Sequence, residues 1–214
     1  MAVRIPRMSF GWFLGLNLPN QLTLIRIVMT GFFVVLVAWD TLSTLIAACI
    51  VFTAAVITDY YDGKIARERN IITKFGKLLD PVADKILLSA AFIMLMAMPD
   101  VYLPAWAVTI VIAREFMVTG ARSFAASEGI VIQASESGKN KTALQTAYVF
   151  AFLLLIVVGR ILTHWGFEFA DLSRELVRLA SFWGIMVVAL YTLYSGVHFL
   201  WVNWRQLLPE HQAE

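Results

Sequence analysis

Residues 59–85 read DYYDGKIARERNIITKFGKLLDPVADK, and both flanks of this stretch are strongly apolar. Residues 42–58 (LSTLIAACIVFTAAVIT) before it and 86–98 (ILLSAAFIMLMAM) after it carry no charge at all. Four aspartates, Asp59, Asp62, Asp80 and Asp84, stand at the facing ends of these two runs. An Asp at the centre of a membrane helix costs roughly 2.5–3.5 kcal/mol, and less toward its edge. Four acids in such a place therefore need a compensating partner.

Working outward, the apolar runs recur at 22–39, 42–58, 82–98, 104–120, 143–162 and 177–201. Crossing a bilayer core takes about 20 predominantly apolar residues. The whole chain agrees: of 214 residues, 60% are hydrophobic and only 15% charged, with a mean hydropathy of +0.75. A soluble domain has about a quarter of its residues charged. The sequence therefore predicts an all-α integral membrane protein with six transmembrane helices, forming a single domain over residues 1–214. The runs are continuous and do not alternate, which argues against a β-barrel. The second and third runs are short because aspartates occupy their facing ends, so their helices are expected to continue beyond the bilayer.

The net charge is only +2, and its distribution is more informative than its sum. Arg4 and Arg7 precede the first run, Lys64, Arg67, Arg69, Lys74 and Lys77 lie between the second and third, and Arg122, Lys139 and Lys141 lie between the fourth and fifth. Arg205 follows the sixth. The opposite-side connections around Asp40 and Asp100 lack Lys and Arg, and only Arg160, Arg174 and Arg178 break the trend. Cytoplasmic loops are enriched in basic residues, so both termini and the loops at 63–80 and 121–142 are expected in the cytoplasm. The first 20 residues have no small-residue cleavage site and lead into a full-length run, unlike a removable signal peptide; residues 1–16 read MAVRIPRMSFGWFLGL. Their mixture of Arg, Phe and Trp suits an interfacial helix. The segment 163–176 reads as a short amphipathic surface helix, and the single cysteine, Cys49, as a packing residue. No nucleic-acid partner is expected.

Residues three or four apart share a helix face. That spacing pairs Asp59 with Asp62 and Asp80 with Asp84. Two antiparallel helices joined on the cytoplasmic side would bring the pairs together. Crowded carboxylates repel or protonate, whereas Mg²⁺ prefers carboxylate and phosphate oxygens. Two divalent ions would balance four carboxylates, and paired metals suit in-line displacement at phosphorus. Other readings stay open at this point. Single aspartates can cap helices or pair with Lys85, Arg67 or Arg69, and intramembrane acids also serve transporters. A divalent-cation transporter would need a polar path across the bilayer, and the outer halves of the runs are almost wholly apolar, with His198 the main exception. Small Gly63 and Ala66 allow close approach, Arg67 suits a phosphate, Gly76 is expected to break the loop, and Pro81 to open the next helix.

The arrangement Asp59-x2-Asp62-Gly63-x2-Ala66-Arg67-x8-Gly76-x3-Asp80-x3-Asp84 resembles the signature of the CDP-alcohol phosphatidyltransferases, at every one of its positions. The resemblance implies a six-span membrane enzyme, commonly a homodimer, that uses two Mg²⁺ or Mn²⁺ ions. It further implies that Asp59, Asp62 and Asp80 bind metal, and that Asp84 is the general base and a further metal contact. Gly63, Ala66, Arg67 and Thr73 would line the CDP-diacylglycerol site, joined by Asn20 from PNQLTLIR.

A second polar segment lies at 113–142. Arg114 falls within the fourth apolar run, in IAREFMVTGAR, with Arg122 about two turns on and so near the same face. Lys139 and Lys141 follow in GKNKT. Four cations on the cytoplasmic side suit a phosphate dianion, although the lysines could equally be solvated or meet anionic lipid. AREFMVTGAR, GKNKT and DPVADK resemble the bacterial phosphatidylglycerophosphate synthase branch of the family, which implies glycerol 3-phosphate as acceptor and the inner (cytoplasmic) membrane as location. Cardiolipin synthases, with another phosphate-containing acceptor, are the rival branch.

Overall fold

A computed structural model describes residues 18–69, 74–130, 132, 136–165 and 171–207. For residues 18–20, 60–81, 84, 136, 137, 139, 171–174 and 205–207 the description covers the backbone alone. The described residues form six α-helices and no strand: α1 Leu18–Ala38, α2 Leu42–Arg69, α3 Lys74–Ala97, α4 Ala105–Ser127, α5 Glu136–His164 and α6 Asp171–Leu207. Four of them hold windows long and apolar enough to cross a membrane: Gln21–Ala38, Leu42–Asp59, Asn140–His164 and Glu175–Trp204. In α3 the apolar part is shorter, Lys85–Ala97, and α4 carries Arg114 and Glu115 at mid-length. The described residues are all helical apart from their connections, and the four long apolar helices mark the chain as an integral membrane protein. The expected interfacial helix at 1–16 lies outside the described residues.

Local chemistry sets several of the helix ends. Asp40 adopts a left-handed φ of 47° between α1 and α2, a conformation short polar side chains tolerate. Thr41 then caps α2: its Oγ1 accepts from the Thr44 amide at 3.3 Å, and Thr44 Oγ1 accepts from the Thr41 amide at 3.1 Å. This is a reciprocal capping box with threonine at both positions. At the end of α4, Ile130 N–H donates to the Ala125 carbonyl at 2.9 Å and Gly129 N–H to that of Ala126 at 3.2 Å. Gly129, at φ 79°, supplies the left-handed turn that this paired C-terminal closure requires.

Packing follows the apolar stripes. Helix α1 lies against α2 and α3, α5 also touches both, and α6 closes the bundle against α4 and α5. Phe33 of α1 meets Phe52 of α2 with ring centroids 5.7 Å apart. Tyr148 of α5 lies between Phe92 of α3 and Phe152 of its own helix, 5.9 and 4.7 Å away. A Cβ at Gly184 of α6 would approach the Tyr148 ring to 2.7 Å, so that glycine admits the tyrosine. Tyr148 in turn donates its hydroxyl to the Ser181 carbonyl at 2.8 Å, which satisfies a polar group that burial would otherwise penalise. Large apolar side chains such as Phe32, Trp106, Leu190 and Trp201 point outward, as expected where the solvent is lipid.

Four local expectations are revised. Gly76 and Pro81 both lie inside α3, which begins at Lys74; neither breaks a loop nor opens a helix. Lys139 and Lys141 belong to α5, not to a loop. The described part of 163–176 forms the ends of α5 and α6 and not a helix of its own. His198 is exposed on α6 and stacks on Tyr194, centroids 6.0 Å apart.

Candidate active site

The four aspartates lie on two helices that share α1 and α5 as neighbours. Asp59 and Asp62 belong to α2, and Asp80 and Asp84 to α3. Both helices continue beyond their apolar parts, so the acids sit on regular helix and not in a loop. Gly63, Ala66 and Arg67 follow on α2, and Asn20 stands in the first turn of α1. The side chains of Asn20, Asp62, Ala66, Arg67, Asp80 and Asp84, and the whole of Thr73, lie outside what is described. Among the described residues, no group of three His, Cys, Asp or Glu side chains converges.

Asp59 is described, and its partner is one that the sequence reading missed. Arg26 of α1 places Nη1 2.6 Å from Asp59 Oδ1; the arginine is 1% exposed and the aspartate 49%. The signal for Arg26 was present, a lone charge within the apolar run 22–39. Charged groups inside a membrane helix face the bundle and pair with one another. The pair fastens α1 to the acidic end of α2. The carboxylate is thus held next to a cation while half of it stays open to solvent, and oxygen donors of this kind suit a hard divalent ion.

A second polar cluster is built around Glu115, which is buried on α4. Lys141 of α5, 2% exposed, donates directly to Glu115 Oε1. Lys85 of α3 brings Nζ to 3.5 Å from Oε2, and Arg114 lies 3.6 Å from Oε1. Gln145, one turn beyond Lys141, reaches Glu115 Oε1 at 3.5 Å and Thr192 of α6 at 3.1 Å. Arg114 is 6% exposed and donates from Nη2 to Ser195 Oγ of α6 at 2.8 Å. Its neighbour Gly196 gives it room, since a Cβ there would come within 2.9 Å of Arg114 Cγ. Arg122 stacks its guanidinium over Phe199, 5.6 Å from the ring centroid. Ser195 and Phe199 are four apart on α6, so Arg114 and Arg122 lie along one stripe of that helix.

Three of the four cations expected around the acceptor phosphate are described here, namely Arg114, Arg122 and Lys141. Lys141 is turned inward onto Glu115 and does not stand at a loop mouth. The side chain of Lys139 lies outside the described residues. Gln145, Thr192 and Ser195 were not singled out in the sequence, because each is ordinary for a helical membrane protein until contacts across helices join them; Lys85 was read only as a possible partner of the aspartates, and Glu115 only as the neighbour of Arg114 in sequence. Lys85 follows Asp84 directly on α3, so the cationic cluster begins one residue from the acidic signature. The cavity lined by Asp100, Leu155, Ile156, Gly159 and Arg160 lies at the other end of α2 from Asp59, where Arg160 meets Asp40.

Residues 16–204 match the sequence profile described as CDP-alcohol phosphatidyltransferase. A Bacillus subtilis (strain 168) protein named CDP-diacylglycerol--glycerol-3-phosphate 3-phosphatidyltransferase is 37% identical over 203 residues, covering 89% of this chain and 97% of its own. Proteins of the same name from Rickettsia bellii and Escherichia coli (strain K12) are 38% and 32% identical. They cover 86% and 70% of this chain, and 93% and 90% of their own.

Proposed function

The chain belongs to the CDP-alcohol phosphatidyltransferase family, and from that membership we propose that it transfers the phosphatidyl group of CDP-diacylglycerol to glycerol 3-phosphate. The products are phosphatidylglycerophosphate and CMP. It is therefore a membrane transferase of phospholipid biosynthesis, and its similarity to relatives named for this reaction supports the reading. The observation that carries the choice of acceptor is the Glu115 cluster. Three cations there face one carboxylate, beginning one residue along α3 from Asp84. An acceptor that bears its own phosphate, with about −1.5 to −2 charge at neutral pH, suits that excess. A neutral or cationic alcohol does not.

The donor enters from the bilayer with its acyl chains against the apolar helix faces. Asp59, Asp62, Asp80 and Asp84 would hold two Mg²⁺ or Mn²⁺ ions, which when bound polarise the phosphoryl oxygens and offset charge that develops there. Arg67 and the small residues Gly63 and Ala66, with Asn20 and Thr73, accommodate the CDP end. Arg114, Arg122, Lys139 and Lys141 take the phosphate of the acceptor. Asp84 accepts the proton of its primary hydroxyl, whose oxygen attacks the lipid-bearing phosphorus while CMP departs. Holding both substrates in line supplies much of the rate, and a site at the membrane edge limits attack by water.

The finer topology follows from the same reading. Helices α3 and α4, with 24 and 23 residues, are about 34–36 Å long at 1.5 Å per residue. Both also cross the bilayer, giving six spans in the bacterial inner membrane with termini and active site on the cytoplasmic side. The enzyme works as a homodimer. The test is a panel of alcohols incubated with CDP-diacylglycerol and purified protein, each lipid product being identified. Glycerol 3-phosphate should yield phosphatidylglycerophosphate and an equal amount of CMP. A product only from phosphatidylglycerol, or none from glycerol 3-phosphate, would overturn the assignment.

A further inference from the structure

Glu115 is an acid in the middle of a region whose proposed ligand is an anion. A carboxylate there weakens the attraction for phosphate, so its presence needs a reason. The geometry supplies one. Glu115 is in reach of Lys85 from α3, Arg114 from its own helix, and Lys141 from α5. Without a shared counter-charge these cations would repel one another in a low-dielectric interior. The two lysines, on flexible four-carbon stems, would swing away.

The cluster also holds polar atoms that the protein leaves unsatisfied. Arg114 Nε and Gln145 Oε1 are both buried without a hydrogen-bond partner among the described residues. Buried polar groups are nearly always paired. One unpaired donor and one unpaired acceptor beside a two-charge cationic excess match a ligand with both phosphate oxygens and a hydroxyl.

We propose that Glu115 is a positioning residue for the acceptor: its carboxylate gathers Lys85, Arg114 and Lys141 and sets their excess at two charges, suited to a phosphate monoester dianion. This deepens the proposed function and rests on it. Glu115 makes no bond to the reacting atoms and acts through the cations. The arrangement selects against neutral alcohols, which leave the excess uncompensated, and the unpaired Gln145 oxygen is available to a hydroxyl of the bound acceptor.

The test uses the purified full chain, with KM determined separately for glycerol 3-phosphate and CDP-diacylglycerol. It also records the rise in unfolding temperature that glycerol 3-phosphate produces. Loss of a hydrogen bond to a charged group is worth about tenfold to a hundredfold in affinity. Glu115→Gln should therefore raise KM for glycerol 3-phosphate by about tenfold or more, diminish the thermal shift to match, and leave KM for CDP-diacylglycerol within about twofold. Glu115→Asp should recover part of the loss. The double change Glu115→Gln with Lys85→Met keeps two charges in excess and guards against misfolding of the single variant. It should still show the raised KM, because Lys141 has lost its anchor.

Wild-type KM and thermal shift in either Gln variant would overturn the role of Glu115. If Arg114→Ala raises KM for glycerol 3-phosphate in that same experiment, the acceptor assignment stands and only the positioning role fails. If Arg114→Ala also leaves KM unchanged, the phosphate-pocket reading itself is wrong.

Discussion

The Arg26–Asp59 contact shows how little a residue's type reveals before its partner is known. Asp59 belongs to a recognisable pattern of acids, whereas Arg26 is an isolated charge in an apolar run. At 2.6 Å the two explain each other: the arginine is tolerated within the bundle because an acid from the next helix meets it. The acid is half-exposed, which discounts the energy of the pair relative to a fully buried one. Asp84 carries the sharpest residue-scale prediction. Asp84→Asn keeps the volume and removes the proposed base, and general-base assistance contributes about 10²–10⁴ in rate. Turnover should fall by about that factor with an unchanged circular dichroism spectrum; activity within threefold of wild type would reject the base assignment.

At the scale of elements, α3 runs through Gly76 in its first turn and through Pro81 further in, although a proline costs about 3 kcal/mol in a helix interior. Intrinsic propensity places the helix start at Pro81; the observed start is Lys74. Packing on α1, α4 and α5 and continuity with an apolar run outweigh the local preference, a result that no inspection of 74–85 alone could give. Helix α6 contributes a different device, a glycine beside an arginine. Because a Cβ at Gly196 would meet Arg114 Cγ at 2.9 Å, Gly196→Ala must displace the root of the side chain and not its flexible tip. We expect KM for glycerol 3-phosphate to rise about three- to tenfold, as for a single weakened charged hydrogen bond, with KM for CDP-diacylglycerol unaltered. Equal changes in both constants would point to general disorder of the bundle.

Across the whole molecule, a further set of charges gathers at the end of the bundle away from the Asp59 and Glu115 clusters. At the end remote from Asp59, Arg160 of α5 donates from Nη2 to Asp40 at 3.0 Å and to Asp100 at 2.8 Å. It thereby ties the α1–α2 turn to the α3–α4 connection. This accounts for one basic residue that breaks the charge asymmetry of the loops, because it neutralises the acids on its own side. The partners are partly exposed, so each contact is worth about 1 kcal/mol or less. Arg160→Met should lower the unfolding temperature in detergent by a few degrees and leave the kinetic constants in place. A loss of activity without loss of stability would show that the two ends are coupled. At the acidic end, EDTA should abolish transfer, and Mg²⁺ or Mn²⁺ should restore it. Transfer that continues at full rate in EDTA would dismiss the metal role of the aspartates.

Hydropathy and spacing alone determined that the chain is helical and built for lipid, and pointed to the acids that interrupt two apolar runs as the proposed site. Those properties depend on composition along the chain, which is legible in one dimension. Helix continuity past 58 was equally legible, from acids that continue the helical spacing of the run, whereas the start of α3 at Lys74 was not. The counter-charges were decided only in three dimensions. Arg26 with Asp59, Lys85 and Lys141 with Glu115, and Arg160 with Asp40 and Asp100 are each far apart in sequence. The physical reason is that a charge in a low-dielectric bundle must be met within a few ångströms, and helix packing, not sequence distance, chooses the group that meets it.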